Sequence, residues 1–536
     1  MCAASRPRPI WYLSALFQQT LPSMSILQDR LRALGPATLR NIRRGIEKES
    51  LRVGRDGALA ANPHPAGLGS ALSHAHITTD FSESQLELIT GVHTGIDACI
   101  EELTRIHQVV YHHIGEEMMW AASMPCGLPG DDAIPIGRYG SSNVGRAKTV
   151  YRIGLAHRYG RRMQTISGIH YNFSLPAVDD PNVAYFSLIR NFRRHSWLLL
   201  YLFGASPSVC STFVAGRKHE LMELKPGTMY RPGATSLRMG PLGYQSDAQA
   251  SLAVSYNCLD SYGASLQDAL TRPYPHYEAI GIREPGVEGD GVDSYRQLAT
   301  SLLQIENEFY GTIRPKRVIR QGERPLHALR ERGVEYVEVR LMDLNPFEPV
   351  GIAAATIRLL DVFLLHCLLS ESPQDTPQEI AANARNQHRV AARGREPGLT
   401  LERSGTETGL REWGGHVLAE CAPIADALDA AHGGAAYRDA LSSASTALDS
   451  PDTLPSARVL GAMTQDHENT YVRFVLDQSR RHRATIEAMP LPADAQAQFA
   501  KMAADSIEEQ RQIELADTLP FEHYRQKYLS PERLGL

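Results

Sequence analysis

The stretch Arg44-Gly-Ile-Glu-Lys-Glu-Ser-Leu-Arg-Val53 constrains the fold more than any other part of the chain. Read as a strand, it puts Glu47, Glu49, Leu51 and Val53 on one face, because strand side chains alternate with a period of two. Like charges roughly 6–7 Å apart on such a face repel, and burial raises the cost of each unless a counter-charge is present. Taken alone, the stretch also fits a solvated edge strand. The pattern recurs elsewhere, and the recurrence carries the argument.

Residues 77–90 interleave Asp80, Glu83 and Glu87 with Phe81, Leu86 and Leu88. Residues 164–175 are expected to form a strand with Gln164, Gly168, His170, Asn172 and Ser174 on one face and Thr165, Ile169, Tyr171 and Phe173 on the other. A lone histidine on a strand is more often a hydrogen-bonded bystander than a ligand. Residues 333–342 alternate again, with Tyr336, Glu338 and Arg340 opposite Val337, Val339 and Leu341; a salt-bridged surface ladder is the plain alternative there. Gathered on one sheet face, Glu47, Glu49, Asp80, Glu87 and Glu338 would repel strongly in a partly buried site. Divalent cations resolve that conflict, and oxygen-rich sets suit Mg²⁺ or Mn²⁺. With Arg340 beside them, such a wall suits triphosphate chemistry, in which metals and arginine neutralise developing charge.

Composition narrows the field. The chain has 536 residues, long enough for a large core and for more than one domain. A net charge of −5 suggests neither a nucleic-acid nor an anionic-membrane partner. The 7 cysteines are scattered and include no C-x-x-C pair, which argues for a reducing compartment and against a disulfide framework or a zinc knuckle. Arg6 and Arg8 precede a short apolar run without a clear cleavage site, so residues 1–23 read as an N-terminal extension expected to be disordered. The most apolar stretch, 351–370, carries Arg358, Asp361 and His366 and fits a packed helix, not a membrane span. G-x-x-x-x-G-K-[ST], G-x-G-x-x-G, H-E-x-x-H and G-x-S-x-G are all missing, so a nucleotide would be held through metals and a sheet.

The remaining organisation is a sheet-rich core over 24–350 and a helical part over 351–536 packed on it. Helices are expected at 26–39, ended by Gly35-Pro36, and at 96–113, 146–161 and 187–203. Residues 120–145 are Gly/Pro-punctuated loop, and residues 234–244 form a loop presenting Arg238 and Tyr244. Further helices are expected at 351–370, 377–393, 411–433, 435–448, 456–463 and 495–516.

The chain resembles the glutamate–cysteine ligases of the monomeric bacterial type. The resemblance is carried by the stretch at 44–53 and by Ile77-Thr-Thr-Asp-Phe81, Met163-Gln-Thr-Ile-Ser-Gly-Ile-His-Tyr-Asn-Phe-Ser-Leu-Pro176 and Tyr201-Leu-Phe-Gly-Ala-Ser-Pro207. Leu303-Gln-Ile-Glu-Asn-Glu308, Ile313-Arg-Pro-Lys-Arg317, Glu335-Tyr-Val-Glu-Val-Arg340 and Asn345-Pro-Phe347 add to it. It implies an α+β fold, a glutamine-synthetase-like antiparallel sheet forming a funnel with helices packed outside. The implied reaction joins the γ-carboxylate of L-glutamate to the amine of L-cysteine through a γ-glutamyl phosphate, with ATP giving ADP and phosphate. Glu47, Glu49, Asp80, Glu87, His170 and Glu338 would hold two or three Mg²⁺ ions. Arg340 would stabilise the transferring phosphoryl group beside Glu338. Phe81, Tyr151, Leu155, Gln164, Arg238, Tyr244 and Tyr310 would form the amino-acid pocket, and Arg152, Lys316 and Arg317 would meet phosphate. Feedback inhibition by glutathione, a monomeric state and a cytoplasmic location are also implied. The rivals are a ligase of the same fold with another acceptor and a non-enzymatic nucleotide sensor, which would bind Mg²⁺·ATP without turnover.

Overall fold

The computed structural model describes residues 21–176, 178–243, 247–250, 252–287, 289, 291–320 and 322–535. The expected disorder of the extension and the placement of Tyr244 therefore lie outside the described residues, except that helix α1 (Leu21–Arg40) begins before residue 24. Gly35, at φ 67°, interrupts α1 without ending it, and the chain turns helical again through Arg40.

The longest strand, β1 (Arg43–Val53), is the hub of the main sheet. It is followed by the hairpin β2 (Ile77–Thr79) and β3 (Gln85–Ile89), helix α2 (Ile96–His113) and the short β4 (Met118–Met119). Helix α3 (Asn143–Tyr159), strand β5 (Ile169–Ser174) and helix α4 (Pro181–His195) come next. A small separate sheet, β6 (Ser208–Cys210), β7 (Met222–Lys225) and β8 (Thr228–Tyr230), precedes β9 (Ile313–Lys316), β10 (Tyr336–Met342) and helix α5 (Ala354–Leu369). In the main sheet the order is β2-β3-β1-β5-β10-β9, antiparallel throughout, with β4 extending the end of β1.

Alternation then separates two chemistries. Ile46, Leu86, Leu88, Tyr171, Phe173, Val337 and Val339 face one side and join a continuous core with Leu103, Ile106 and Val110 of α2 and Leu360 and Leu364 of α5. Burying such side chains contributes about 25 cal/mol per Å² of apolar surface, which holds the sheet rigid from behind. Two polar groups are buried on that side. Arg44 pairs with Asp361 of α5 at 2.8 Å, and Tyr171 Oη donates to the same carboxylate at 2.6 Å. Lys48 Nζ donates to His107 Nε2 of α2 at 2.7 Å.

Three expectations are corrected. Residues 163–165 form a 3₁₀ turn, so β5 starts at Ile169 and Gln164 stands off the strand. The helix expected at 187–203 is two helices, α4 and Trp197–Phe203, meeting at Ser196. Cys126 and Cys210, buried and 84 residues apart, form a disulfide with Cα atoms 5.0 Å apart. Scattered spacing hides such a pairing because β6 is brought beside the loop at 120–128 only by tertiary packing. The C-terminal region is mostly helical but carries a hairpin of Thr400–Arg403 and Thr406–Gly409, and its helices include Tyr471–Glu487 and Phe521–Leu529, which the periodicity did not single out. No helix among the described residues is long and apolar enough to cross a membrane.

Candidate active site

Register builds the polar wall. Glu87 of β3 lies opposite Glu49 of β1, Glu47 of β1 opposite His170 of β5, and Glu338 of β10 opposite Asn172 on one side and Arg314 of β9 on the other. Directly paired residues on one face of an antiparallel sheet have Cβ atoms about 5 Å apart. Acids far apart in the chain thus become neighbours through strand pairing. Asp80 follows β2 in the hairpin, its backbone N–H bonded to the carbonyl of Gln85.

His170 sits at the centre. Its Nδ1 lies 3.2 Å from Glu47 Oε2 and 3.8 Å from Glu338 Oε1, and its Nε2 lies 3.5 Å from Glu49 Oε1. Asn172 donates to Glu47 Oε1 at 2.8 Å, and the Gly168 N–H donates to Glu49 Oε2 at 2.7 Å. Lys316 donates to Glu338 Oε1 at 3.2 Å, and Arg340 Nη1 stands 3.1 Å from Glu338 Oε2. Glu47, Glu87 and His170 each bring a ligand atom within 4.8 Å of the others. His170 Nε2 and Glu338 Oε2, both buried, have no hydrogen-bond partner of good geometry, an unusual state for buried polar atoms.

The charges are unevenly distributed. Burial, then Glu47, Asp80 and Glu49, push the Glu87 carboxyl well above its usual range. Burial and Asp80 likewise raise Glu49. At Glu338 burial acts the other way from its cationic neighbours Lys316, Arg340, His170 and Arg314, and the cations prevail, holding it well below the carboxylate range. The β3 end of the wall is therefore poorer in positive charge than the β9 end, although Arg340 acts on Glu87 and Glu49 too. Cations binding near Glu87 and phosphates near Lys316 would even out that gradient.

A cavity of about 360 Å³ opens over this wall. Among the expected residues, Glu47, Glu87, His170, Lys316, Glu338 and Arg340 line it from the sheet, Asp80, Phe81, Gln164 and Tyr310 from turns and loops beside it, and Tyr151, Arg152 and Leu155 from α3. Gln164 Nε2 donates to Tyr310 Oη at 2.9 Å, joining two parts of the pocket. Other expected residues are placed elsewhere. Glu49 lies just beneath the wall, held by Gly168. Arg238 is fully buried, donates to the Arg340 carbonyl at 2.8 Å and stands 3.9 Å from Asp343. Arg317 turns outward to the Arg332 carbonyl and Glu335. Arg152 lines the cavity, but its guanidinium is bonded to the carbonyls of Asp80, Lys148 and Thr79.

The structure adds residues that sequence reasoning passed over. Arg314 lines the cavity two residues before Lys316 on β9, a period-two signal that was available. Lys148 lines it from α3, where positions 148, 151, 152 and 155 fall on one helical face. Burial and the nearby Arg152 lower the Lys148 ammonium to about 8. A second acidic group, Glu323, His327 and Glu331, is bridged by Arg332 and Arg320 and forms a peripheral ion-pair network.

The antiparallel sheet, its carboxylate wall and the adjoining arginine define an ATP-dependent ligase of the carboxylate–amine class. Comparison with known proteins makes the assignment particular. The glutamate–cysteine ligase family model matches residues 31–390. The enzyme of that name from Alcanivorax borkumensis is 47% identical over 525 residues, covering 94% of this chain and 99% of its own, and that from Pseudomonas entomophila is 47% identical over 515 residues, covering 93% and 96%. The crystal structure of glutamate–cysteine ligase from Francisella tularensis in complex with AMP superposes with a TM-score of 0.85 at 36% identity, covering 91% of this chain and 97% of that one. A bifunctional glutathione synthetase from Pasteurella multocida superposes at 0.68 with 25% identity, covering 90% and 58%. The chain belongs to the glutamate–cysteine ligase family, whose ATP-dependent joining of L-glutamate to L-cysteine is the first step of glutathione synthesis.

Proposed function

We propose that Glu47, Glu49, Asp80, Glu87, His170 and Glu338 hold Mg²⁺, with Mn²⁺ the alternative that a histidine ligand favours. What supports this reading above all is that Glu47, Glu87 and His170 bring ligand atoms within 4.8 Å of one another on a wall where burial, then neighbouring acids, raises Glu87 and Glu49. A cation bound among them offsets both the burial and the repulsion. Bound there, it would supply charge neutralisation for the triphosphate.

The chain's own groups then divide the work. Lys316 and Arg314 at the β9 edge bind the phosphate tail, and Arg340 aims its planar fork at the transferring γ-phosphoryl group. The AMP found in the Francisella tularensis relative points to the same adenine nucleotide class for this chain. The γ-carboxylate oxygen of glutamate attacks phosphorus, ADP leaves, and the γ-glutamyl phosphate remains enclosed. Phe81, Tyr151 and Leu155 exclude water from it and pack the acceptor, while Gln164 and Tyr310 fix its orientation; Arg238 supports Arg340 from beneath. The cysteine amine attacks the acyl carbon, a C–N bond forms, phosphate departs and the amine loses a proton. The same reading carries feedback inhibition by glutathione, a monomeric state and a cytoplasmic location.

Purified protein supplied with glutamate, cysteine and Mg²⁺·ATP should release ADP and γ-glutamylcysteine in equal amounts. Chelation should abolish release and added Mg²⁺ restore it. Turnover that survives complete metal removal would end this reading of the wall.

A further inference from the structure

The stretch Leu303-Gln-Ile-Glu-Asn-Glu308 carries three buried polar side chains, Gln304, Glu306 and Glu308, and none of them lines the catalytic cavity. The 3₁₀ turn over Glu306–Glu308 gives Ile305, Asn307 and Tyr310 to the cavity instead. The buried groups tie that turn down on two sides. Glu306 accepts from Arg324 at 2.6 and 2.9 Å and from the Leu326 N–H at 3.1 Å. Glu308 Oε1 accepts from Arg158 Nη1 at 2.8 Å and from Tyr159 Oη at 2.7 Å, both at the end of α3. Its Oε2 accepts from the Gln304 N–H at 2.7 Å. The Gln304 amide then reaches α3 as well, donating to the Tyr151 carbonyl at 3.2 Å and accepting from the Leu298 N–H at 2.8 Å.

Two observations show how tightly this turn is drawn onto α3. A Cβ at Gly154 would lie 2.1 Å from Gln304 Oε1, so a glycine in mid-helix is what lets the amide cross there. Glycine weakens a helix interior, and here the close approach offsets that cost. The Arg158 and Glu308 side chains are both 0% exposed. A dry ion pair resists parting, because separation strands a buried charge. Tyr310 follows Glu308 by two residues, and its ring meets Tyr159 edge-on with centroids 5.7 Å apart. Gln249 fastens the same backbone from behind, donating to the Glu308 carbonyl at 2.9 Å and accepting from the Tyr310 N–H at 3.1 Å.

We propose that Gln304 and Glu308 are positioning residues that set the width of the acceptor pocket, and with it the length of acceptor side chain that the enzyme takes. They brace Tyr310 against α3, whose Tyr151 and Leu155 form the facing wall. The inference rests on the reading of Tyr151, Leu155 and Tyr310 as the acceptor pocket. One methylene in such a pocket is worth about 10- to 200-fold in selectivity, provided that the walls cannot part to admit it.

The test compares L-2-aminobutyrate, which replaces the thiol of cysteine by a methyl group, with L-norvaline, one methylene longer. The readout is the ratio of their kcat/KM values in wild type, Glu308→Gln and Gly154→Ala. Both acceptors use the same glutamate and nucleotide, so general losses of stability or of phosphoryl transfer cancel in the ratio. Glu308→Gln keeps the volume but puts an NH₂ where a carboxylate oxygen accepted, so it cannot serve both α3 and the Gln304 N–H. Gly154→Ala leaves Glu308 in place and drives the Gln304 amide off the helix. Wild type should prefer the shorter acceptor by at least about 10-fold, and each variant should lower that preference by about fivefold or more. A wild-type ratio retained in either variant, even with lower activity or melting temperature, would make the brace a matter of folding alone and overturn the proposal. Should Glu308→Gln not fold, Gly154→Ala, which strands no charge, decides by itself. Leu155→Ala, on the wall, should lower the preference too. A ratio moved by Leu155→Ala and by neither brace variant overturns the brace only, whereas a ratio that Leu155→Ala does not move takes the acceptor off this wall and the role of the brace with it.

Discussion

At Glu338 one buried carboxylate faces Lys316, Arg340, His170 and Arg314, and it stays ionised in spite of burial. Glu338→Ala should therefore remove a metal ligand and leave Lys316, Arg340 and Arg314 to repel one another. Turnover should fall by at least about 10³-fold with the circular dichroism spectrum unchanged; activity near wild type would take Glu338 out of the site. Arg340→Lys keeps the charge but loses the planar fork, and kcat should drop by about 10- to 100-fold, whereas an unchanged kcat would show that Arg340 does not meet the transferring group. Elsewhere, both ring nitrogens of His64 are buried without a hydrogen-bond partner. Burial, then Arg52 and His74, lower its ring to about 4. The unfolded chain takes up that proton first as pH falls, so stability should decline from about pH 6.5 towards pH 4, by about 1–2 kcal/mol for this residue after allowing for partial exposure. In His64→Leu the loss of urea midpoint between pH 7.5 and pH 5 should be smaller than in wild type, and an identical loss would acquit His64.

Elements hold these residues in place. The Asp361 carboxylate of α5 receives Arg44 of β1 and Tyr171 of β5, so one helix side chain locks two strands whose other faces carry Glu47 and His170. Asp361→Ala should cost about 3–5 kcal/mol, because Arg44 is left charged and unpaired in the core. Chemical denaturation measures the loss, and a change below about 1 kcal/mol would contradict the account. Helix α3 is capped by Ser142, whose hydroxyl accepts from the Gly145 N–H at 3.2 Å. How much of these elements the chain disclosed depended on burial pattern. β10 was legible because Val337, Val339 and Leu341 make one face apolar, β1 because its two glutamates alternate with period two, and α2 because its apolar stripe is regular. The beginning of β5 was not, since residues 163–165 are as buried as a strand yet form a 3₁₀ turn, and it is Gly168 that packs against the Arg238 guanidinium. Tyr471–Glu487 was overlooked because its charged face dominates the sequence, although Tyr471, Phe474 and Val475 are buried.

The whole molecule joins a sheet core to a second apolar cluster, built from Trp120, Met124, Val209, Phe213 and Phe474, at the end of β1. The Cys126–Cys210 disulfide lies in that cluster and closes a loop of 84 residues. Chain entropy assigns such a closure about 4–5 kcal/mol. Oxidised protein should thus melt measurably above the reduced protein, and Cys126→Ser should melt at one temperature with or without reductant; a melting temperature of wild type indifferent to reductant would remove the bond from the stability of the fold. Residues of the site come from β1, β3, β5, β9, β10 and α3, so nucleotide and metal binding to the folded form alone should stabilise the entire chain, by about 2.7 kcal/mol at a hundredfold excess over Kd.

Period-two alternation by itself determined that Glu47 and Glu49 share one side of their strand, and that His170 and Glu338 stand opposite the apolar faces of theirs, since a strand offers only two sides. It could not determine strand order. Pairing β1 between β3 and β5, and β10 beside β5, is what turned separate acids into one wall, because only hydrogen-bonded neighbours lie about 5 Å apart. The same long-range pairing brought Cys126 to Cys210, set Arg238 beneath Arg340 and aimed Lys148 into the cavity. Each of those outcomes depends on the distance between segments, a quantity local sequence does not contain.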